Sequence, residues 1–258
     1  MAPVLDAPVL ETRDLTIRFG GQAAVDGVSC AFQRGTLTAI VGPNGAGKTT
    51  YFNLISGQLR ATSGEVFLGG TRITALPAPA RARRGLGRAF QLTNLFPDLT
   101  VLENVRLAVQ ARAGVGLRLL GMAATRVDLI DRAMAVLQRV NLAPRARLPA
   151  SALSHGDQRK LEVAILLALE PSIFMFDEPT AGMSVDEVPV ILDLIEAIKA
   201  EGSGTILLVE HKMDVVRRLA DRVVVLHQGA LVADGAPGEV VASPIVREAY
   251  LGVRATNG

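Results

Sequence analysis

The chain of 258 residues carries 27 Lys and Arg against 25 Asp and Glu, is 49% hydrophobic and has one cysteine. That length suits one large α/β domain or two subdomains on a shared sheet, the near balance of charge gives no nucleic-acid surface, and a lone cysteine excludes an internal disulfide framework. No uncharged apolar run approaches the ~18 residues that span a bilayer, the longest, Ala164 to Leu169, lying between Glu162 and Glu170; the first residues lack the basic and apolar regions of a signal peptide, so a cytosolic chain is expected, its positive mean hydropathy pointing to apolar surface kept for a partner.

In chain order, residues 9 to 41 alternate apolar and polar positions: Leu15, Ile17, Phe19, then Val28, Cys30, Phe32, then Leu37, Ala39, Val41, with turns at Gly20-Gly21 and Arg34-Gly35. The spacing predicts a small antiparallel sheet leading into a further strand, with Cys30 as a small core residue. The next stretch, GPNGAGKTT from Gly42 to Thr50, fits the phosphate-loop pattern G-x-x-x-x-G-K-[ST] at Gly42, Gly47, Lys48 and Thr49. It stands between the apolar run Thr38 to Val41 and the helix-like Tyr51 to Ile55, the strand-to-helix context that the motif requires. Gly42, Gly45 and Gly47 lack a Cβ, so the backbone can turn its N–H groups onto an anion, and the following helix aims its positive end at the same place. Lys48 adds a charge within reach of β- and γ-phosphates, and the Thr49 hydroxyl can ligate Mg²⁺. The stretch therefore predicts a nucleoside-triphosphate site.

The first helix is expected from about Gly47 to Ser56, closed by Gly57, with a strand over Gly64 to Gly70. Residues 77 to 88, PAPARARRGLGR, open on a proline and carry Arg81, Arg83, Arg84 and Arg88; without interleaved aromatics they read as a solvated helix rather than a nucleic-acid track. From about Val101 to Pro149 the apolar period becomes helical, at Val101, Leu102, Val105, Val109 and then Ile130, Ala133, Met134, Leu137, Val140, interrupted by the glycine-containing segment Gly114 to Met122. This predicts a separate helical subdomain. Alternation then resumes: a helix from about Asp157, strand Ile173 to Asp177, helix Asp186 to Glu201, strand Thr205 to Glu210, helix Lys212 to Ala220, strand Arg222 to Leu226. Such alternation predicts a mostly parallel sheet with crossover helices, ligands binding beyond the carboxyl ends of its strands.

The chemistry-bearing residues gather at those ends. Asp177 and Glu178 close an apolar strand; the first is placed to hold Mg²⁺ through its water shell, the second to orient or deprotonate an attacking water. Asp186-Glu187 reads only as favouring a helix start. His211 follows another apolar strand, in VEHKMD, at the same sheet edge, which favours a γ-phosphate contact over a plain polar cap. Gln91 follows Ala89-Phe90 and has an amide able to ligate Mg²⁺ and bind water. In LSHGDQRKLE, Ser154 offers a hydroxyl, Gly156 admits close backbone approach, and the next helix offers a second positive N-terminus. A second phosphate element on another subdomain makes sense if it caps the nucleotide of another copy in a two-fold, head-to-tail dimer.

With these motifs in this order over nearly the whole chain, the sequence resembles an ATP-binding cassette (ABC) ATPase. In that family's terms GPNGAGKT is the Walker A loop, Gln91 the Q-loop, LSHGDQ the signature, IFMFDE the Walker B strand and His211 the switch histidine. The resemblance implies ATP and Mg²⁺ as ligands, with Gly42, Pro43, Asn44, Gly45, Ala46, Gly47, Lys48, Thr49 and Thr50 around the phosphates and Phe19 with Val25 against the adenine. It implies Thr49, Gln91 and Asp177 on the metal, Glu178, His211 and Gln91 in catalysis, and Ser154, His155, Gly156 and Gln158 on the opposite subunit's ATP. Two departures stand out: His155 replaces a usual glycine in the signature, and Ser184 replaces a common aspartate in the D-loop EPTAGMSVDE.

The fold implied is a P-loop α/β domain over 1 to 258, with a RecA-like core and antiparallel β subdomain (9 to 90 and 170 to 258) and an insert of Q-loop, helical subdomain and signature (91 to 169). RFGGQAAVDGVS, SHGDQRKLEVA, VEHKMDVV and the ending from HQGALVADG are similar to the ATP-binding subunit of branched-chain amino acid importers. Amide and urea importers and the lipopolysaccharide-export ATPase share parts of this pattern, so the solute stays open. Implied partners are a second ATPase subunit, in a homo- or heterodimer, integral-membrane permease subunits and, indirectly, a periplasmic or extracytoplasmic solute-binding protein, with no nucleic acid. The implied location is the cytoplasmic face of the cell membrane. Soluble ABC ATPases of translation or repair carry paired cassettes or long coiled coils, and a phosphate-loop GTPase or kinase would lack the LSHGDQ string.

Overall fold

The computed structural model describes residues 7–89, 95–114, 122–183, 185, 187–202, 204–244 and 246. They form two compact units: one of residues up to Leu86 with Ser172–Glu178 and the chain from Glu196, the other of Gly87–Pro171 with Pro179–Ile195.

In the first unit β1 (Leu10–Phe19) and β2 (Gln22–Phe32) pair antiparallel, β4 (Ser63–Leu68) adds to the other edge of β1, and β5 (Thr71–Arg72) completes the order β2-β1-β4-β5. A second sheet is ordered β10-β9-β3-β8-β7, from β3 (Leu37–Val41), β7 (Ile173–Asp177), β8 (Thr205–Val209), β9 (Arg222–His227) and β10 (Ala230–Gly235), while β6 (Leu86–Ala89) runs from the end of this unit's first segment into the second unit. Strands β7, β8, β3 and β9 run parallel and β10 returns antiparallel to β9.

Every residue of β3, β7 and β8 is buried, as expected of parallel strands covered on both faces. The alternation sorts them. Ile40, Met175, Leu207, Val209 and Val224 face a core shared with Tyr51, Phe52 and Ile55 of α1 (Lys48–Ser56) and with the antiparallel sheet. Ala39, Val41, Val223 and Val225 face the other way, against Val216 of α7 (Met213–Leu219) and Val240 of α8 (Pro237–Ala242). Cys30 lies in the first core, and burial pushes its thiol up to about 11, so it is an inert packing group.

One sequence expectation fails here. Arg81, in the short helix α2 (Ala78–Ala82), is not on a solvated face: it is 2% exposed. Its guanidinium donates to the carbonyls of Leu54 (2.7 Å) and Ile55 (2.6 Å) in the last turn of α1, and to those of Thr74 (2.8 Å) and Leu76 (2.9 Å). A cation meeting the negative end of a helix and its orphan carbonyls accounts for the burial, which lowers the Arg81 pKa to about 10. Arg83 and Arg84 are exposed as expected. Replacing Arg81 by Leu strips four buried carbonyls of their donor and is expected to cost about 2–4 kcal/mol. The urea midpoint falls with its slope unchanged; an unshifted midpoint would refute this account.

The second unit packs α3 (Val101–Arg112), α4 (Met122–Arg139) and α5 (His155–Ala168) together. Val101, Val105 and Val109 of α3 and Leu129, Ala133 and Leu137 of α4 are buried at the spacing the helical period requires, whereas Ile130 and Met134 are only partly buried. Thr100 caps α3 by accepting from the Glu103 N–H at 3.1 Å. Buried Asn104 clamps the preceding loop, accepting from the Phe96 N–H (2.9 Å) and donating to the Phe96 carbonyl (3.1 Å), and so fixes a phenylalanine that is 55% exposed. Residues 115–121 of the glycine-containing segment lie outside the described residues. α6 (Val188–Ala200) starts two residues later than the acidic pair suggests.

Candidate active site

β3 ends at Val41 and the phosphate loop turns back into α1 through three left-handed glycines, Gly42 (φ 151°), Gly45 (φ 80°) and Gly47 (φ 95°). A Cβ at Gly42 would overlap the Leu226 carbonyl and one at Gly47 the Ala24 carbonyl, whereas Gly45 faces open space. No side chain caps the N-terminus of α1 and no acid stands in its first turn, so its end is left to an outside anion. The resulting cavity of about 360 Å³ is lined by Ala24, residues Asn44 through Thr50, and Glu178. Gly42 and Pro43 lie behind it, their carbonyls accepting from Lys48 Nζ at 2.7 and 3.0 Å. Burial lowers the Lys48 pKa, and the Glu178 and Asp177 carboxylates oppose that shift, which puts both acids within electrostatic reach of the ammonium.

Those acids sit at the carboxyl end of β7, beside the carboxyl ends of β8 and β3. Asp177 is buried; Glu178, partly exposed, takes a left-handed backbone (φ 49°), its N–H donating to the Val209 carbonyl at 3.0 Å. A strained non-glycine at a strand end facing a phosphate cavity is a usual mark of a working residue. His211 is exposed just beyond β8. The sequence reading passed over its neighbour Glu210, which is fully buried and accepts from the Lys212 N–H (3.3 Å). Burial raises the Glu210 pKa and the nearby Glu178 pushes the same way. Its only signal was an acid ending an apolar strand, as Glu178 ends another. Gln91 and Ser184 lie outside the described residues.

A second cavity of about 590 Å³ shares Ala24 and Gly45 with the first and is further lined by Phe19, Gln22, Ala23, Gln228 and Gly229. Phe19 is 53% exposed at the end of β1, a free ring face beside the phosphate loop. Val25 does not join it: it is fully buried in the core. Neighbouring strand residues face opposite sides, so Ala24 takes the cavity wall and Val25 the interior.

In the second unit, Ser154 caps α5, its hydroxyl accepting from the Asp157 N–H at 3.2 Å. Ser154 and His155 are exposed, and the Gln158 amide turns back to donate to the Leu153 carbonyl at 3.1 Å. Asp157 pairs with Arg145 (2.7 Å) and Lys160 (2.9 Å), bracing the helix start. Gly156 packs against Glu187, whose carboxylate would overlap any Cβ added there. Glu187 thus does more than favour a helix start. Gly156→Ala is expected to lower ATP turnover at least about tenfold with nucleotide affinity in the isolated chain unchanged; wild-type turnover would contradict it.

A phosphate cradle between strand and helix, with two acids ending a parallel strand of the same sheet, one strand removed, and an aromatic-walled cavity alongside, defines a P-loop nucleoside triphosphatase. The ABC transporter family matches residues 25–181, and the family described as branched-chain amino acid ATP-binding cassette transporter matches residues 230–256. The high-affinity branched-chain amino acid transport ATP-binding protein LivG of Salmonella typhimurium is 39% identical over 96% of this chain and 99% of its own. The ADP conformation of MJ1267, an ATP-binding cassette of an ABC transporter, superposes with a TM-score of 0.81 at 28% identity, over 95% of this chain and 99% of that one. A dimeric post-hydrolysis state of the cassette MJ0796 bound to ADP and Pi gives a TM-score of 0.74 at 26% identity, over 88% of this chain and 98% of the other. The chain belongs to the ABC transporter family as an ATP-binding, ATP-hydrolysing cassette.

Proposed function

We propose that this ATPase energises the uptake of branched-chain amino acids. The observation that carries the reading is the match of residues 230–256, beyond the nucleotide machinery, to the branched-chain amino acid cassette family, in a chain alike to LivG from end to end. Two cassettes, a second copy or a paralogue, enclose ATP between the phosphate loop of one and Ser154, His155, Gly156 and Gln158 of the other. A dimer bound to ADP and Pi in the related MJ0796 supports this arrangement.

Lys48, Thr49, Thr50 and the N–H groups of residues 44–47 bind the phosphates; Glu178 orients and deprotonates the attacking water; His211 and Gln91 contact the γ-phosphate and the water. The donor set also fits Mg²⁺: a hydroxyl at Thr49, a carboxylate at Asp177 and the Gln91 amide suit an ion that keeps phosphate and water ligands. Among the described residues no cluster of three His, Cys, Asp or Glu competes as an all-protein site. When bound, the ion offsets phosphate charge during transfer.

No described helix is long and apolar enough to cross a membrane. In the proposed transporter the solute path belongs to permease subunits, with the cassette on their cytoplasmic face and a solute-binding protein on the far side. Phe96 (55% exposed), Leu99 (38%) and Leu148 (44%) offer apolar surface on the helical unit for a permease helix. Phe96→Asp is expected to reduce co-purification with the permease at least about tenfold while the isolated chain still binds ATP; unchanged assembly would contradict that surface. Affinity purification from native membranes tests the whole reading. Recovery of permease subunits with an amino-acid-type binding protein supports it; recovery of export-bridge proteins, or of ribosomes alone, overturns it.

A further inference from the structure

We infer that Gln228, together with Gln22, is a specificity-determining residue that reads the edge of the nucleotide base. The inference rests on the nucleotide reading of the Phe19 cavity. Stacking on a phenylalanine ring gives affinity with little choice, because every base has a π-face. Choice needs donors and acceptors at the base edge, and among the described residues the polar side chains lining this cavity are the amides of Gln22 and Gln228. A carboxamide presents an acceptor beside a donor, the complement of the adenine amino group and its adjacent ring nitrogen.

The backbone makes Gln228 the stronger of the two. It sits in the turn between β9 and β10 with φ 49°, left-handed geometry that glycine or asparagine takes at lower cost. Turn chemistry does not explain a glutamine here; a side chain put to use does. Gly229 fixes its place: the Gly229 N–H donates to the Ala46 carbonyl of the phosphate loop (3.1 Å), and the Gly229 carbonyl accepts from the Asp26 N–H of β2 (2.9 Å). The turn is thereby tied both to the loop that holds the phosphates and to the strand that walls the base cavity. Gln228 is exposed, leaving its amide accessible from the cavity.

The test is equilibrium titration of the purified full chain with ATP and with inosine triphosphate, which differs in carrying oxygen in place of the amino group at C6. Wild type, Gln228→Gly, Gln228→Asn and Phe19→Ala are compared. The glycine variant removes the amide while suiting the left-handed turn, and the asparagine variant keeps the turn but shortens the reach. Wild type is expected to prefer ATP at least about tenfold, as one bidentate pair provides. Both Gln228 variants should cut that preference to about twofold or less, chiefly by weakening ATP, whereas Phe19→Ala should weaken both nucleotides alike. A preference intact in the Gln228 variants, or lost through an equal weakening of both nucleotides, overturns the role of Gln228 even when the Phe19 result holds. Unchanged binding in Phe19→Ala would mean that the base lies elsewhere, and would overturn both this inference and the cavity reading beneath it.

Discussion

Lys48→Ala weakens ATP binding at least about 100-fold, about 2.7 kcal/mol of binding free energy. Two effects add. The triphosphate loses the cation that lines the 360 Å³ cavity, and the Gly42 and Pro43 carbonyls lose the ammonium that donates to them. Burial already lowers the Lys48 pKa, so the ammonium is poorly solvated before nucleotide arrives and gains strongly from phosphate charge. Lys48→Arg does not rescue, because the larger planar group cannot enter the space of a residue that is 6% exposed. Titration with a fluorescent ATP analogue measures the loss; affinity within threefold of wild type would remove Lys48 from the phosphate site.

Glu178→Gln retains ATP but hydrolyses it about 10²–10⁴-fold more slowly, the range of a lost general base. Glutamine matches glutamate in shape and tolerates the same strained backbone at φ 49°, so the cavity keeps its form while the proton acceptor is gone. With hydrolysis stalled, the closed pair of cassettes has no route to reopen and should accumulate as an ATP-dependent dimer on size-exclusion chromatography. Asp177 and Glu210 stand near enough to share the electrostatics of this site, yet both are buried, and only Glu178 lines the phosphate cavity. Turnover at the wild-type rate in Glu178→Gln would assign the base elsewhere, with Glu210 the next carboxylate to replace.

How much of this was legible in the sequence depended on whether the signal was local. The strand Ile173–Asp177 has the bounds its apolar run predicts, and α1 begins and ends at the glycines that flank it, because both follow from neighbouring residues. Arg81 was misread because nothing local marks an arginine that caps the end of α1, where two of its four carbonyl partners lie 26 and 27 residues away in the chain. Phe19 is a candidate by its place before the phosphate loop, and the simple alternation fails there: register shifts in β1 bury Leu15, Thr16 and Ile17 in succession and turn Phe19 outward. Val25 was placed at the site by proximity in sequence, but strand facing gives that position to Ala24. The hairpin of β9 and β10, which brings Gln228 to the cavity beside Phe19, ran beyond the last strand the period revealed.

Uptake of labelled leucine, isoleucine and valine, in cells whose own copy is replaced by wild type or by Glu178→Gln, tests most directly whether this cassette energises uptake of branched-chain amino acids. The variant is expected to lose uptake of these solutes while uptake of an unrelated solute such as urea continues. Undiminished uptake of all three, or loss confined to urea or another amide, would contradict it.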